Sequence, residues 1–168
     1  KGKSIANLVN LQSGESIASI LSVREFEEDK FVMIATERGI VKKTSLMAYS
    51  KPRQGGVIGL TIDKGDRLIG AELCDGKSDI LLATEKGFSI RFSEKEARPI
   101  GRTGRGVRGI RLKPDDRVVG AEIVLPGNML LTITSNGYGK RTQVEEYPVQ
   151  GRGGLGVMTI RCNEKIGS

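Results

Sequence analysis

Apolar residues come in short bursts along this chain, each cut off by glycine, proline or charge. Phe31 to Ala35 is apolar, Glu37-Arg38-Gly39 reads as a tight turn, and Ile40 to Thr44 reads as the return strand. A polar loop rich in Gly and Pro follows, then a strand from Val57 to Ile62. A Lys64-Gly65-Asp66 turn leads to a further strand from Leu68 to Leu73. No segment keeps a 3.6-residue apolar period over three turns, so no long helix is expected. The pattern predicts an all-β protein built from units of four short strands.

The units repeat. Thr36-Glu37-Arg38-Gly39-Ile40-Val41-Lys42-Lys43-Thr44 returns from Thr84 to Phe92 and again from Thr134 to Thr142, with the glycines 48 and then 50 residues apart. The third copy carries Asn136-Gly137, a strong hairpin signal because both residues tolerate positive φ. A second block, Gly55 to Ile62, matches Arg105 to Leu112 and Gly153 to Ile160. A third, Asp66 to Glu72, matches Asp116 to Glu122, and Glu164 is matched to the turn acids Asp66 and Asp116. Three blocks on one period of about 49 residues indicate radially repeated, propeller-like sheets, which close with roughly four to eight blades. The boundaries read as one repeat domain over 1–168. Residues 1–13 are the tail of a preceding blade, and 14–62, 63–112 and 113–160 are successive repeats. Residues 161–168 open a truncated repeat, so a partial ring is expected.

Composition narrows the chemistry. The 168 residues include 23 Gly, no His, no Trp, three Tyr and four Phe, so the core must be mostly aliphatic. Without His, His-ligated metal and His-based catalysis within the chain are excluded, and Ser and Thr lack their ordinary base. Cys74 and Cys162 stand too far apart in sequence for a C-x-x-C pair. Few cysteines and no apolar run of membrane-spanning length fit a soluble, cytoplasmic protein. The acids Asp115-Asp116 and Glu145-Glu146 fall on or near turns and read as structural. Gly104-Arg105-Gly106-Val107-Arg108-Gly109 satisfies G-x-G-x-x-G, but a strand follows it where a dinucleotide site needs a helix. No G-x-x-x-x-G-K-[ST] loop is present.

Charge is uneven. Lys+Arg total 27 against 20 Asp+Glu, and most of the +7 excess lies after residue 100. Arg98, Arg102, Arg105, Arg108, Arg111 and Lys113 crowd a Gly-rich stretch without an acid, which reads as an exposed loop entering a strand. Basic residues also recur on each hairpin return, as Lys42-Lys43, Arg91 and Lys140-Arg141. Taken as exposed, they predict a circumferential basic stripe suited to bent duplex DNA. Arg152, within Gly-rich 150–156, and Lys51 and Arg53 on the first loop, complete the expected DNA-binding set. The alternative is a scaffold whose basic loops hold an acidic protein partner.

These motifs resemble the C-terminal domain of the DNA gyrase A family, a six-bladed β-pinwheel. The resemblance covers essentially the whole chain. It rests on Ile5 to Gln12, Gly39 to Thr44, Thr103 to Leu112, and Asn136 to Thr142 followed by Val144-Glu145-Glu146-Tyr147-Pro148. Gln150-Gly151-Arg152-Gly153-Gly154-Leu155-Gly156 is similar to that family's gyrase A box, with Gly151 and Leu155 in place of two basic residues, and reads as a degenerate copy. The resemblance implies DNA bending and wrapping on a basic outer rim, without sequence specificity, in the service of negative supercoiling by a bacterial type IIA topoisomerase. It implies no catalytic site, metal or cofactor in this chain. ATP and Mg2+ would be used elsewhere in the parent enzyme, and Tyr49, Tyr138 and Tyr147 would not be the nucleophile, with Tyr138 and Tyr147 packing residues. Implied partners are double-stranded DNA, the N-terminal domains of gyrase A and the gyrase B protein, with no membrane and a nucleoid-associated location. The similar C-terminal domain of topoisomerase IV, acting in decatenation, is the near alternative.

Overall fold

The computed structural model describes residues 2, 9, 11–53 and 56–168. Most of the 1–13 tail, with the Ile5 to Asn10 motif apart from Val9, lies outside the described residues, as does Gly55 of the second block. Ten strands are present among them: β1 Phe31–Thr36, β2 Ile40–Ser45, β3 Leu68–Cys74, β4 Asp79–Thr84, β5 Phe88–Ser93, β6 Val107–Arg108, β7 Val118–Val124, β8 Met129–Ile133, β9 Gly139–Gln143 and β10 Val157–Met158. The only described helical elements are three 3-10 turns, each directly after a hairpin return, at Leu46–Tyr49, Glu94–Glu96 and Val144–Glu146. The all-β expectation is met.

The three hairpins share one turn. The N–H groups of Gly39, Gly87 and Gly137 donate to the carbonyls of Thr36, Thr84 and Thr134. Each glycine has φ near +80°, whereas Asn136 does not adopt positive φ. The turn is therefore the type that ends in a left-handed glycine, and Asn136, though it tolerates positive φ, does not use it here.

Two complete sheets follow, ordered β3-β1-β2-β6 and β10-β5-β4-β7, with β8 and β9 forming a separate two-stranded hairpin. The fourth strand is not the one expected from sequence. Val57 to Ile62 forms no strand; β2 instead pairs with β6, Ile40 opposite Arg108 and Val41 opposite Val107. In the second sheet β5 likewise takes β10, Phe88 opposite Met158. The 3-10 turn after each hairpin, anchored by the N–H groups of Leu46, Glu94 and Val144 on the carbonyls of Lys30, Ser78 and Asn128, carries the chain off the hairpin's edge. Each blade's outer edge is thus closed by the following repeat.

Strands β3 and β7 lie beside one another, which places them on the inner side, with β6 and β10 on the outer edges. The fully buried side chains are chiefly Ile80, Leu81, Leu82, Ile90, Ile110, Val41, Val118 and Val144, joined by Phe92, so the core is aliphatic as composition required. The turn ends of the blades are tied by a chain of ion pairs: Arg67 to Glu37 at 2.9 Å, Arg117 to Glu37 at 3.3 Å, and Arg117 to Glu85 at 2.6 Å. Asp66 and Asp116 cap the backbone N–H groups of Arg38 and Lys86. Glu164 does not do the same. The turn from Asn163 to Gly167 is one residue longer than its counterparts, and Gly167 stands at the capping place.

Candidate nucleic-acid interface

Three glycine-rich loops, after residues 49, 97 and 147, lie side by side along the outer edges. Arg102 Nη1 donates to Ile58 O at 3.2 Å, and Thr61 Oγ1 to Thr103 O at 2.7 Å, which joins the first loop to the second. Arg152 Nη1 donates to Arg108 O at 2.7 Å, and Gly153 N–H to Gly109 O at 2.8 Å, which joins the second to the third. Arg111 N–H closes the same seam on Gly154 O. Glycine is required where these loops press on a hairpin. A Cβ on Gly106 would lie 2.6 Å from Val41 O, and one on Gly156 would overlap Ser89 O. Both residues also have positive φ.

The glycines of G-x-G-x-x-G thus serve close backbone approach, with Gly109 against Leu82 and Val41. No helix follows, so the pattern is not a dinucleotide cradle.

The expected stripe of hairpin lysines is not on the surface. Lys42 is 1% exposed and Lys43 4%. Lys42 Nζ donates to Gly59 O at 2.7 Å and to Arg102 O. Burial, with Arg102 beside it, holds the Lys42 ammonium below the usual lysine range. Lys43 Nζ donates to Glu94 O at 2.8 Å, on the next blade, and sits 3.9 Å from the buried Glu94 carboxylate. Arg91 is half-buried; it pairs with Asp79 at 2.8 Å and donates to Val144 O and Tyr147 O of the following repeat. The repeated basic position is therefore a fastener between blades. It keeps register because each blade presents the same 3-10 turn carbonyls to its neighbour. Lys42, Lys43 and Arg91 are corrected to structural residues. Arg102 and Arg152 are half-buried in the loop seam, with their guanidinium groups on carbonyls.

Five of the expected residues remain exposed on or beside the stitched loops: Lys51, Arg53, Arg98, Arg105 and Arg108. Arg105 has only a 3.4 Å pair with Asp63, both largely in solvent. Exposed Arg111 extends this band, and Lys113, whose Nζ lies 3.9 Å from the Phe88 ring centroid, borders it. Both were visible in the sequence as part of the same basic run. Lys140 and Arg141 are exposed too, but on the β8–β9 hairpin. In the box-like 150–156 stretch, Gln150 N–H donates to Arg91 O and Arg152 N–H to Glu96. Tyr147 is buried, as expected of a packing residue, whereas Tyr138 is 45% exposed, against that expectation.

Among the described residues no group of three or more His, Cys, Asp or Glu is placed to hold a metal. Burial pushes both thiols up, with Glu94 adding to the effect at Cys74 and Asp116 at Cys162. Neither has the depressed pKa of a reactive cysteine. No described helix is long and apolar enough to cross a membrane.

The family model described as DNA gyrase C-terminal domain, beta-propeller, matches residues 30–75, 78–125 and 128–167. The chain belongs to this family. Each matched stretch holds one of the three hairpins, β1–β2, β4–β5 and β8–β9. The A subunit of DNA gyrase from Haemophilus influenzae is 44% identical over 107 residues, which is 64% of this chain and 12% of that protein. The chain thus spans about an eighth of the length of that relative. Among solved structures, a DNA gyrase A C-terminal domain superposes with TM-score 0.89 at 26% identity, covering 99% of this chain and 56% of the other. The C-terminal domain of a DNA topoisomerase IV gives TM-score 0.88 at 27% identity, covering 97% of this chain and 51% of the other. Both solved domains share the fold of this chain over the part that superposes.

Proposed function

We propose that this chain binds duplex DNA along the stitched loops and bends it around the outer edge. Support comes from one observation above all: Lys51, Arg53, Arg98, Arg105 and Arg108 are exposed on loops held in fixed register, with few acids to neutralise them. Loops pinned by main-chain and arginine contacts present charge at little ordering cost, which suits a phosphate backbone. The contacts are electrostatic, so binding is not sequence-specific, and deformable sequences are favoured. Membership of the gyrase family carries the proposal further. The chain would act as a non-catalytic part of gyrase A in a type IIA topoisomerase, delivering a DNA crossing for negative supercoiling. Its partners would be the N-terminal domains of gyrase A and the gyrase B protein, in the bacterial cytoplasm at the nucleoid, with ATP and Mg2+ used outside this chain.

The test is replacement of Arg98, Arg105 and Arg108 together by Gln. Each phosphate contact contributes about 0.9 to the slope of log K against log salt, so the slope should fall by about 2 to 3. Affinity at low salt should drop while the unfolding midpoint stays within error. Unchanged slope and affinity would remove this band from the interface. A scaffold holding an acidic protein would show no dependence on duplex length.

A further inference from the structure

One acid reaches into the basic band. From Ala97 to Pro114 the sequence holds none, yet the Asp63 carboxylate lies 3.4 Å from Arg105 Nη1. Glu96, beside the band, accepts the N–H of Arg152 instead. Lys51, Arg53, Arg98 and Arg108 have no ion pair among the described residues, so Asp63 is the one acid paired with a member of the band. The fold puts it there. Two residues before it, Thr61 donates its N–H to Gly104 O and its Oγ1 to Thr103 O. Three residues after it, Asp66 N–H closes a turn on Asp63 O. Across the seam, Gly106 follows Arg105 and sits so close to Val41 O that no larger residue fits. Both backbones are fixed, and the two side chains meet over a seam that cannot slide.

The acid is peculiar to this seam. In the register of β6 and β10, Asp63 and Arg105 answer to Lys113 and Leu155 one repeat on. The second seam therefore has no ion pair at the corresponding place. Lys113 stays exposed with the whole preceding repeat beside it, so this place on the rim is open to solvent.

We propose that Asp63 is a counter-charge built into the DNA-binding surface, occupying Arg105 in the free protein and yielding it to a DNA phosphate. This rests on the reading of the band as the DNA interface. Both side chains are largely solvated, 74% exposed at Arg105 and 57% at Asp63, so the pair is weak enough to exchange. The freed carboxylate stays beside the phosphate, because its backbone cannot retreat. It opposes the contact it has released and keeps a solution cation close by. Arg105 then frees fewer counterions than an unpaired arginine would. The band holds DNA less tightly, and lets it go faster, than its count of arginines alone would give.

Asp63→Asn keeps the shape of the side chain and removes its charge. Binding to a duplex of about 100 bp should tighten about two- to fivefold at low salt, the range of an exposed ion pair. The slope of log K against log salt should steepen by up to about 0.9, one phosphate contact. Both changes should largely vanish in an Arg105→Gln background, and Asp63→Glu should keep the values of the unaltered chain. No change on Asp63→Asn, or an equal change with Arg105 already replaced, would overturn the proposal. The Arg98/Arg105/Arg108→Gln chain separates the two readings. If it binds as tightly as the unaltered chain, the band is not the interface and the counter-charge falls with it. If it loses affinity while Asp63→Asn is inert, the band stands and only the role of Asp63 is overturned.

Discussion

Lys43 and Arg141 hold the same place in their repeats and have opposite surroundings, so residue type alone does not decide their role. Lys43 is buried against Glu94, and removing one partner of a buried ion pair costs about 3–5 kcal/mol. Lys43→Ala should therefore lower stability on that scale in urea denaturation, and affect DNA affinity only where unfolding does. Glycine contrasts give a second prediction. Gly106 and Gly127 both have positive φ, but only Gly106 has a carbonyl, that of Val41, 2.6 Å from where a Cβ would stand. Gly127→Ala should cost about 1–2 kcal/mol, the left-handed penalty alone. Gly106→Ala should cost about 1–3 kcal/mol more through overpacking. Equal losses would show that the β6 contact is loose. Glu72 supplies a pH signature. Burial, with Glu122 nearby, raises its carboxyl above the usual glutamate range. The folded state then holds the proton more tightly than the unfolded chain. This contribution is present at low pH and is lost as pH rises through the folded value. Glu72→Gln should raise the neutral-pH melting temperature by about 1–3 °C and flatten that slope, read by melts between acidic and neutral pH.

At the scale of elements, the hairpins were legible because their determinants are local. Thr36 to Gly39 and its two copies carry a turn glycine between apolar runs, and β1, β2 and β3 fall within a residue or two of where the pattern puts them. The fourth strand was not legible. Val57-Ile58, Val107-Arg108 and Val157-Met158 hold one place in the repeated block, so the third copy starts two residues later than the match to Gly153–Ile160 put it, and a period cannot say which hairpin a block will join. The structure assigns the second and third copies each to the hairpin of an earlier repeat. Burial of Lys42, Lys43 and Arg91 was hidden for a related reason. Besides the carboxylates of Asp79 and Glu94, their partners are backbone carbonyls of Gly59, Arg102, Glu94, Val144 and Tyr147, and a carbonyl leaves no mark in a sequence. The loop arginines were half legible. Their clustering was plain, but the use of Arg102 and Arg152 as seam contacts emerges only once the loops are side by side. It follows that Arg152→Ala should loosen the seam, lowering stability by about 1 kcal/mol or more, since a charged hydrogen bond is lost. Faster amide exchange around Gly109 and Gly153 would be the local sign.

At the scale of the whole molecule, the fold separates two uses of positive charge. Buried or half-buried cations at Lys42, Lys43, Arg91, Arg102 and Arg152 hold blades and loops together, and the exposed ones at Lys51, Arg53, Arg98, Arg105 and Arg108 face solvent on the outer loops. The net +7 is thus a poor guide to DNA contact, and the band on the loops is the better one. The most direct measurement is binding to duplexes from about 20 to 150 bp, spanning one persistence length of about 150 bp, over a salt series with end-to-end energy transfer. Salt-steep affinity that grows with length is expected, together with shortened end-to-end distance, both lost in the Arg98/Arg105/Arg108→Gln chain. Binding that ignores salt and length, with DNA ends left apart, would contradict it.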